Sequence, residues 1–397
     1  MRGIDLLADE ALGLTGRPTL QYLHDPAVID LTWGHPDPTL LDTRAVREAA
    51  DAVLTSSAGW RSLTYGYGAG PASLRDALAE HHVELGERWP ADEELFVTAG
   101  TSAALQLLLA LNCRDGDVVF VESPTYFLAL SILRDAPIHI VGVPSDAQGI
   151  DPDALSALAG RAAANRGPKY LYLIPTHHNP TGRLMGVERR RAVVDVAVRH
   201  GLTIIEDDVY REVSWTATLP PSLWTLADGQ GVIRMGSFSK TLGPGLRLGF
   251  LTAPAPVVSR LGESGVIDSG GGVNHFTASI VARMIEDRSY HRARDAAVES
   301  YADRCRALVD GLRTAGAFEF EEPTGGYFVW TRTRHDAERF IAAARSAGVA
   351  CTRGSGSYVE HPDPTRFRLS FSLFEPADLA RAAAILGDVE VSLPSRA

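Results

Sequence analysis

The segment Gly236-Ser237-Phe238-Ser239-Lys240-Thr241-Leu242-Gly243-Pro244-Gly245-Leu246-Arg247 holds the groups best suited to chemistry in this chain. An apolar run, Val232 to Met235, leads into two serines and a lysine, and a Gly-Pro-Gly turn then delivers an arginine. A lysine at the end of a strand, out of water and beside a fixed cation, loses affinity for its proton and becomes an amine nucleophile toward carbonyl groups. Ser237, Ser239 and Arg247 supply hydroxyls and a guanidinium that can grip a phosphate. A phosphorylated aldehyde, pyridoxal 5′-phosphate, answers both demands through a Schiff base on Lys240. The plain alternative is a solvated surface lysine, and the apolar sequence on both sides argues against it.

Other segments offer complementary groups. Gly100-Thr101-Ser102 follows the apolar run Leu95 to Val97 and opens a helix, where free N–H groups and hydroxyls suit a phosphate. Thr and Ser also cap helices generally, so this signal is weak alone. Tyr126, in the turn Pro124-Thr125-Tyr126, can stack on a ring or simply fill core. Asn179 precedes a proline that holds it extended and can donate to a phenolic ring oxygen. Asp207 stands within Glu206-Asp207-Asp208-Val209-Tyr210, where burying an acid without a cation is costly. A pyridinium N–H is such a cation, and the acid then keeps the ring an electron sink for a carbanion at the substrate Cα. Tyr210 can reach the ring oxygen. The rival readings are a Mg²⁺ site from the three clustered acids and a metal on His177-His178. Adjacent histidines point to different sides and no matching carboxylate is spaced with them, so no metal is expected. Arg368, in the strand Arg366 to Phe371, can clamp a carboxylate with both nitrogens, although a lone strand arginine is often only a surface charge.

These groups need a scaffold. Helical and strand-like runs alternate through the middle of the chain. The pattern predicts helices over 102–111, 126–134, 152–163 and 187–200, with strands over 117–122, 138–143, 170–174 and 202–206. Such alternation implies an α/β domain with a mostly parallel sheet, whose ligands gather beyond the carboxyl ends of the strands. Asn179, Asp207 and Lys240 all follow a strand in this way. From about Ile285 the pattern changes to a long charged helix over 288–315, a strand pair at 318–320 and 326–332, a helix over 336–347, a strand over 366–371 and a last helix over 376–386. The expected division is an arm over 1–40, a large domain over 41–285 and a small α+β domain over 286–397.

Composition narrows the function. With 397 residues, 45% hydrophobic and 22% charged, the chain is an ordinary globular enzyme by content. A net charge of −11 disfavours nucleic acid and anionic membrane as partners. Cys113, Cys305 and Cys351 show neither pairing nor metal spacing, which suits a reduced, cytoplasmic setting. No signal peptide and no bilayer-length apolar run are read.

Taken together, Ser237 to Gly249, Asn179 to Gly182 and Asp207 to Tyr210 resemble, in order and interval, the fold-type I enzymes of the class I/II aminotransferase family, in its aminoadipate-aminotransferase and MocR-like branch. The resemblance covers nearly the whole chain. It implies an aspartate aminotransferase-like α/β fold with a mostly parallel seven-stranded sheet and a smaller α+β C-terminal domain. It makes Lys240 the Schiff-base lysine and proton shuttle, Asp207 the ring-nitrogen partner, and Asn179 and Tyr210 the ring-oxygen contacts. Gly100, Thr101, Ser102, Ser237, Ser239 and Arg247 become the phosphate cup, Tyr126 the stacking aromatic, and Arg368 the substrate carboxylate clamp. Tyr65, in Leu63 to Gly68, is similar to a tyrosine that reaches the neighbouring subunit's phosphate, which implies a homodimer with shared sites. Trp33-Gly34-His35-Pro36 resembles the glycine segment that lines the substrate pocket, so Gly34 joins Asn179 and His178 as substrate contacts.

Four departures from the family pattern bear on the pocket: Thr101-Ser102 in place of Ser-Gln, His177-His178 before Asn179, the glycine-rich Ser269 to His275, and Arg353 where a proline usually precedes the loop glycine. The expected activity is transamination of an L-α-amino acid. The alternative keeps the cofactor but expects β/γ-elimination or replacement, annulation, decarboxylation or oxidative deamination. A non-catalytic ligand sensor is a third reading, disfavoured by the negative charge and the lack of a basic head.

Overall fold

The computed structural model describes residues 25, 27–162 and 169–394. In chain order the strands begin with β1 (Ile29–Asp30), β2 (Leu95–Thr98), β3 (Asp117–Ser123), β4 (Ile138–Asp146), β5 (Gly149–Ile150), β6 (Lys169–Leu173) and β7 (Leu202–Asp207). They continue with β8 (Val232–Ser237), β9 (Gly249–Thr252), β10 (Glu319–Phe320), β11 (Phe328–Arg332), β12 (Val349–Ala350), β13 (Thr352–Arg353) and β14 (Arg366–Ser370).

The central sheet has the order β2-β9-β8-β7-β6-β3-β4-β5. Its neighbours from β8 through β4 pair in parallel, while β9 runs antiparallel to β2 and β8. The sheet therefore has eight strands where seven are expected. The extra one is β5, two residues that fold back antiparallel on the end of β4 through Ser145 and Ile150.

Parallel strands covered on both faces read as continuous apolar runs, and side chains alternate between the faces with period two. Val119, Val121, Tyr172, Ile205 and Met235 pack on one side, with the helices Thr101–Asn112 and Phe127–Arg134. Val118, Phe120, Leu171, Leu173 and Ile204 pack on the other, with the helices Pro152–Arg161 and Val187–His200. This alternation decides the roles of the three acids at the end of β7. Asp207 follows Ile205 onto the first face, and Glu206 and Asp208 follow Ile204 onto the second.

The C-terminal part builds a four-stranded antiparallel sheet, β10-β11-β14-β13, under the helices Ser289–Ala315, Ala337–Ser346 and Pro376–Ser392. The last helix runs beyond the expected stop at Leu386. Gly387 lets it approach Ala315, where a Cβ would stand 2.7 Å away. Buried Glu390 then accepts hydrogen bonds from Thr333 Oγ1 and Arg334 N at 2.5 and 2.7 Å. Ile29 and Leu31 belong to this same core, because β1 pairs with β12.

Candidate active site

The parallel strands deliver their functional residues to one edge of the sheet. Lys240 stands three residues past β8. Its Nζ donates to the Gly34 carbonyl at 2.9 Å and lies 5.4 and 5.7 Å from the Tyr327 and Tyr210 ring centres. Tyr327 donates to the Lys240 carbonyl at 2.7 Å and so fixes the backbone under the amine. Burial, then the nearby Arg368 and, more weakly, Arg247, lower the Lys240 pKa to about 8, while Asp207 opposes this. The chain contains one other lysine, Lys169, and it begins β6 at the opposite end of the sheet.

Asp207 is 6% exposed. Its Oδ2 accepts a hydrogen bond from the Tyr172 hydroxyl at 2.7 Å, and its Oδ1 is buried without a partner. Burial raises its pKa to about 6, and the Tyr172 bond works against that shift. Its two neighbours make their hydrogen bonds on the other face of the strand. Glu206 accepts from the N–H groups of Leu223 and Trp224 at 2.9 and 3.0 Å, which caps a short helix. Asp208 accepts from Arg234 Nε at 2.8 Å, and Arg211 bridges it to Glu87. The three acids therefore do not share one space, and the Mg²⁺ reading fails on that geometry. Tyr126 and Tyr210 lie on the Asp207 side. Burial first, and then Asp207, push the Tyr126 hydroxyl up to about 12, and burial with Tyr126 raises the Tyr210 hydroxyl well above its ordinary value.

The phosphate-type groups also meet. Gly100 caps the helix Thr101–Asn112 at φ 93°, a left-handed conformation that favours glycine. A Cβ there would stand 2.8 Å from Arg247 Nη2, so the guanidinium lies directly against the helix start. Ser237 pairs with Gly249 across β8 and β9, and Gly249 packs on Gly100, which brings the serine segment to the same place. Ser239 N donates to Ser237 Oγ at 3.1 Å. Thr101 is half-buried and Ser102 exposed beside them. Pyridoxal phosphate fits this donor set on two observations: the unpartnered Asp207 Oδ1, suited to a ring N–H, and the glycine-lined approach of Arg247 to a helix N-terminus.

Arg368, on β14, is 4% exposed and has no carboxylate partner among the described residues. Its Nη1 donates to Asn179 Oδ1 at 2.9 Å and its Nη2 to the Thr32 carbonyl at 2.7 Å. The guanidinium carbon lies 4.0 Å over the Phe328 ring centre. Burial lowers its pKa to about 10, which leaves it charged at neutral pH. A buried guanidinium without an acid suits an incoming carboxylate. Gly34 admits this arrangement, since a Cβ there would stand 2.6 Å from Phe328 Cζ.

Other expected residues lie elsewhere. His178 is 1% exposed; its Nδ1 is 2.9 Å from Thr181 Oγ1 and its Nε2 faces buried Glu122 at 3.6 Å. It braces the Asn179 turn instead of facing the pocket, and burial lowers its pKa to about 3. His177 is also fully buried, packed on Gly325 and Gly326. Tyr65 is 87% exposed and lies against Gly270 of its own chain, outside the cluster around Lys240. Arg353 pairs with Phe367 between β13 and β14. The arm around Arg17 to Tyr22 lies outside the described residues. Sequence reasoning missed Tyr172, Tyr327, Thr32 and Phe328. Tyr172 carried a usable signal, because a tyrosine in a buried strand needs a partner for its hydroxyl.

Residues 27–386 match the family model for aminotransferase class I and II. The chain is 28% identical over 383 residues to a 2-aminoadipate transaminase of Thermus thermophilus, covering 94% of this chain and 92% of that one. It is 27% identical to the mitochondrial kynurenine/alpha-aminoadipate aminotransferase of Bos taurus, over 89% of each chain. A crystal structure of the Thermus thermophilus alpha-aminoadipate aminotransferase, complexed with N-(5′-phosphopyridoxyl)-L-leucine, aligns with a TM-score of 0.79 at 27% identity and covers 92% of both chains.

Proposed function

This chain belongs to the class I and II aminotransferase family, and from that premise we propose that Lys240, Asp207 and Arg368 carry a transamination between an L-α-amino acid and a 2-keto acid. The fold is that of the aspartate aminotransferase-like enzymes and the cofactor is pyridoxal 5′-phosphate. The observation that carries the assignment of roles is the meeting of three groups not paired with one another: the half-buried Lys240 amine and the buried Asp207 carboxylate beyond the central sheet, and the buried Arg368 guanidinium from the C-terminal sheet. When bound, the cofactor supplies an electron-withdrawing ring that stabilises negative charge at the substrate Cα.

The residues divide the remaining work. Arg368 takes the substrate carboxylate and orients the Cα–H bond toward Lys240. Lys240, with its pKa lowered to about 8, accepts and returns that proton near neutral pH. Asp207 Oδ1 would hold the ring nitrogen in its charged form. Asn179 and Tyr210 would attend the ring oxygen, Tyr126 would stack on the ring, and Gly100, Thr101, Ser102, Ser237, Ser239 and Arg247 would hold the phosphate. Acidic or aromatic amino acids are the first substrates to try, given the relatives' names. Of the features that pointed to elimination or annulation, the glycine-rich Ser269 to His275 remains, while His177 and His178 are buried against Gly325 and Thr181, which supports transamination.

The test is to incubate the loaded enzyme with a panel of L-amino acids. Stoichiometric keto acid with amination of the cofactor supports the reading. Release of ammonia, CO2 or a side-chain fragment in its place would sink it.

Two variants probe the roles. Arg368→Lys keeps the charge but loses the planar fork. It is expected to raise KM about 10- to 100-fold, from the ~1.5–3 kcal/mol of a charged hydrogen bond. An unchanged KM would remove Arg368 from the carboxylate site. Tyr172→Phe deletes the donor to Asp207, so the carboxyl pKa should move above about 6. The expected outcome is a roughly tenfold lower kcat with KM little changed, and a shifted pH titration of the visible spectrum. If both stay as in the wild type, Tyr172 has no positioning role.

Tyr65, Trp60, Leu63 and Tyr67 form an exposed apolar stretch, which supports a homodimer that covers it. Sedimentation should then give twice 42.7 kDa. We keep the division into an arm, a large domain and a small domain near residues 41 and 286 as part of this reading; most of the C-terminal residues share one core, which also takes in Ile29, Leu31, Tyr210 and Val213. No helix among the described residues is long and apolar enough to cross a membrane, and a cytoplasmic location fits the unpaired cysteines.

A further inference from the structure

The helix Ala72–Glu84 ends against the start of the helix Ser289–Ala315, where the His81 and His291 rings meet. His81 and Glu84 lie one turn apart on the first helix, and His291 lies on the second. One ligand atom from each falls within 4.8 Å of the others. The two imidazole side chains are 1% and 6% exposed, and their rings stand 5.1 Å apart at 77°.

His81 Nε2 is 2.8 Å from Glu212 Oε2, and Arg294 braces that carboxylate at 3.2 Å. A carboxylate partner fixes Nε2 as the protonated nitrogen and leaves a lone pair on Nδ1, the second-shell arrangement that accompanies metal-bound histidines. Nδ1 is buried, has no hydrogen-bond partner and lies 3.8 Å from Glu84 Oε2. His291 Nε2 lies 3.1 Å from the same oxygen. Other buried imidazole nitrogens among the described residues are unpartnered too, and what sets His81 Nδ1 apart is that it converges with a carboxylate oxygen and a second imidazole nitrogen, all within 4.8 Å of one another. Glu84 Oε1 is engaged by Arg288, and Oε2, hydrogen-bonded to His291 Nε2, is the oxygen that faces both imidazoles. A cavity of about 480 Å³ opens beside His81 and Glu84, lined also by Asp76, Glu80, Glu286 and Arg288, so carboxylates outnumber the one guanidinium on its walls.

We propose that His81 Nδ1, Glu84 Oε2 and His291 Nε2 bind one divalent transition ion of the zinc class, with water from the cavity in the fourth position. Two imidazoles and one carboxylate select such an ion over Mg²⁺ or Ca²⁺, which prefer all-oxygen sets.

The test uses the holoenzyme freed of metal by EDTA and titrated with Co²⁺. One ion per chain with tetrahedral d–d absorption, displaced by Zn²⁺, is expected. Glu84→Gln and His291→Gln should each weaken uptake about 10- to 100-fold while the visible cofactor spectrum and helical circular dichroism persist. His291→Cys retains a ligand and should keep uptake, with an added thiolate-to-cobalt band. Absence of uptake by the wild-type enzyme overturns the proposal whatever the variants do, and so does equal uptake by wild type and both glutamine variants.

Discussion

Lys240→Ala is expected to remove the visible absorption of the lysine-bound cofactor and to lower transamination by about 10⁴-fold or more, because one side chain both anchors the cofactor and moves the Cα proton. The geometry sets that expectation. The amine hangs from a backbone that Tyr327 clamps and points at Gly34 O, between the Tyr210 and Tyr327 rings. Burial and the field of Arg368 bring its pKa to about 8 from an ordinary 10.5. Capture of added cofactor by the apoprotein should therefore accelerate as pH rises through about 8, where the neutral amine becomes the main form. Acceleration only near pH 10 would mean that the amine is solvated. Circular dichroism should show the variant folded, since what Nζ holds in the fold is a hydrogen bond to the Gly34 carbonyl.

Asp207→Asn is expected to cost about a thousandfold in kcat, the scale of losing one preorganised charge at a reacting centre, while leaving cofactor capture by Lys240 intact. The same change should not harm the empty protein. A buried carboxyl raised from 3.8 to about 6 binds its proton more tightly folded than unfolded. The apoprotein therefore loses stability as pH rises through that window, on the order of 3 kcal/mol in full. Asparagine carries no such cost. The apo variant should melt at or above the wild-type temperature at pH 7 and lose that pH dependence. A variant that keeps wild-type kcat, or an apoprotein that melts lower, would contradict the role given to Asp207.

Much of this site was legible because the chemistry sits where apolar strands end. Asp207, Asn179 and Lys240 each follow such a run closely, and the parallel sheet brings those ends together. The small contacts behind them were hidden by chain distance. Tyr172 meets Asp207 from a neighbouring strand, and Tyr327 reaches Lys240 from the C-terminal half. The same holds for the balanced cluster beneath the site, where Arg211 joins Glu87 to Asp208 and Arg234 completes the charge. His178 shows the converse. A polar residue beside Asn179 reads as a pocket residue, but Glu122 and Thr181 draw it into the interior. Residue type and local sequence set what His178 could do, and only packing decides which way its ring faces. The last helix was expected over 376–386 and its extension to Ser392 was missed for a related reason, since Gly387 marks a close approach to Ala315 in place of a helix stop.

The scarcity of lysine makes one measurement decisive. Lys169 and Lys240 are the only lysines in the chain, and they lie at opposite ends of the central sheet. Borohydride reduction of the loaded enzyme fixes the cofactor onto whichever amine holds it, and peptide mass mapping then reads the modified residue. The account predicts one phosphopyridoxyl group per chain on Lys240 and none on Lys169. Modification of Lys169 or of the chain's amino terminus with Lys240 unmodified would contradict it.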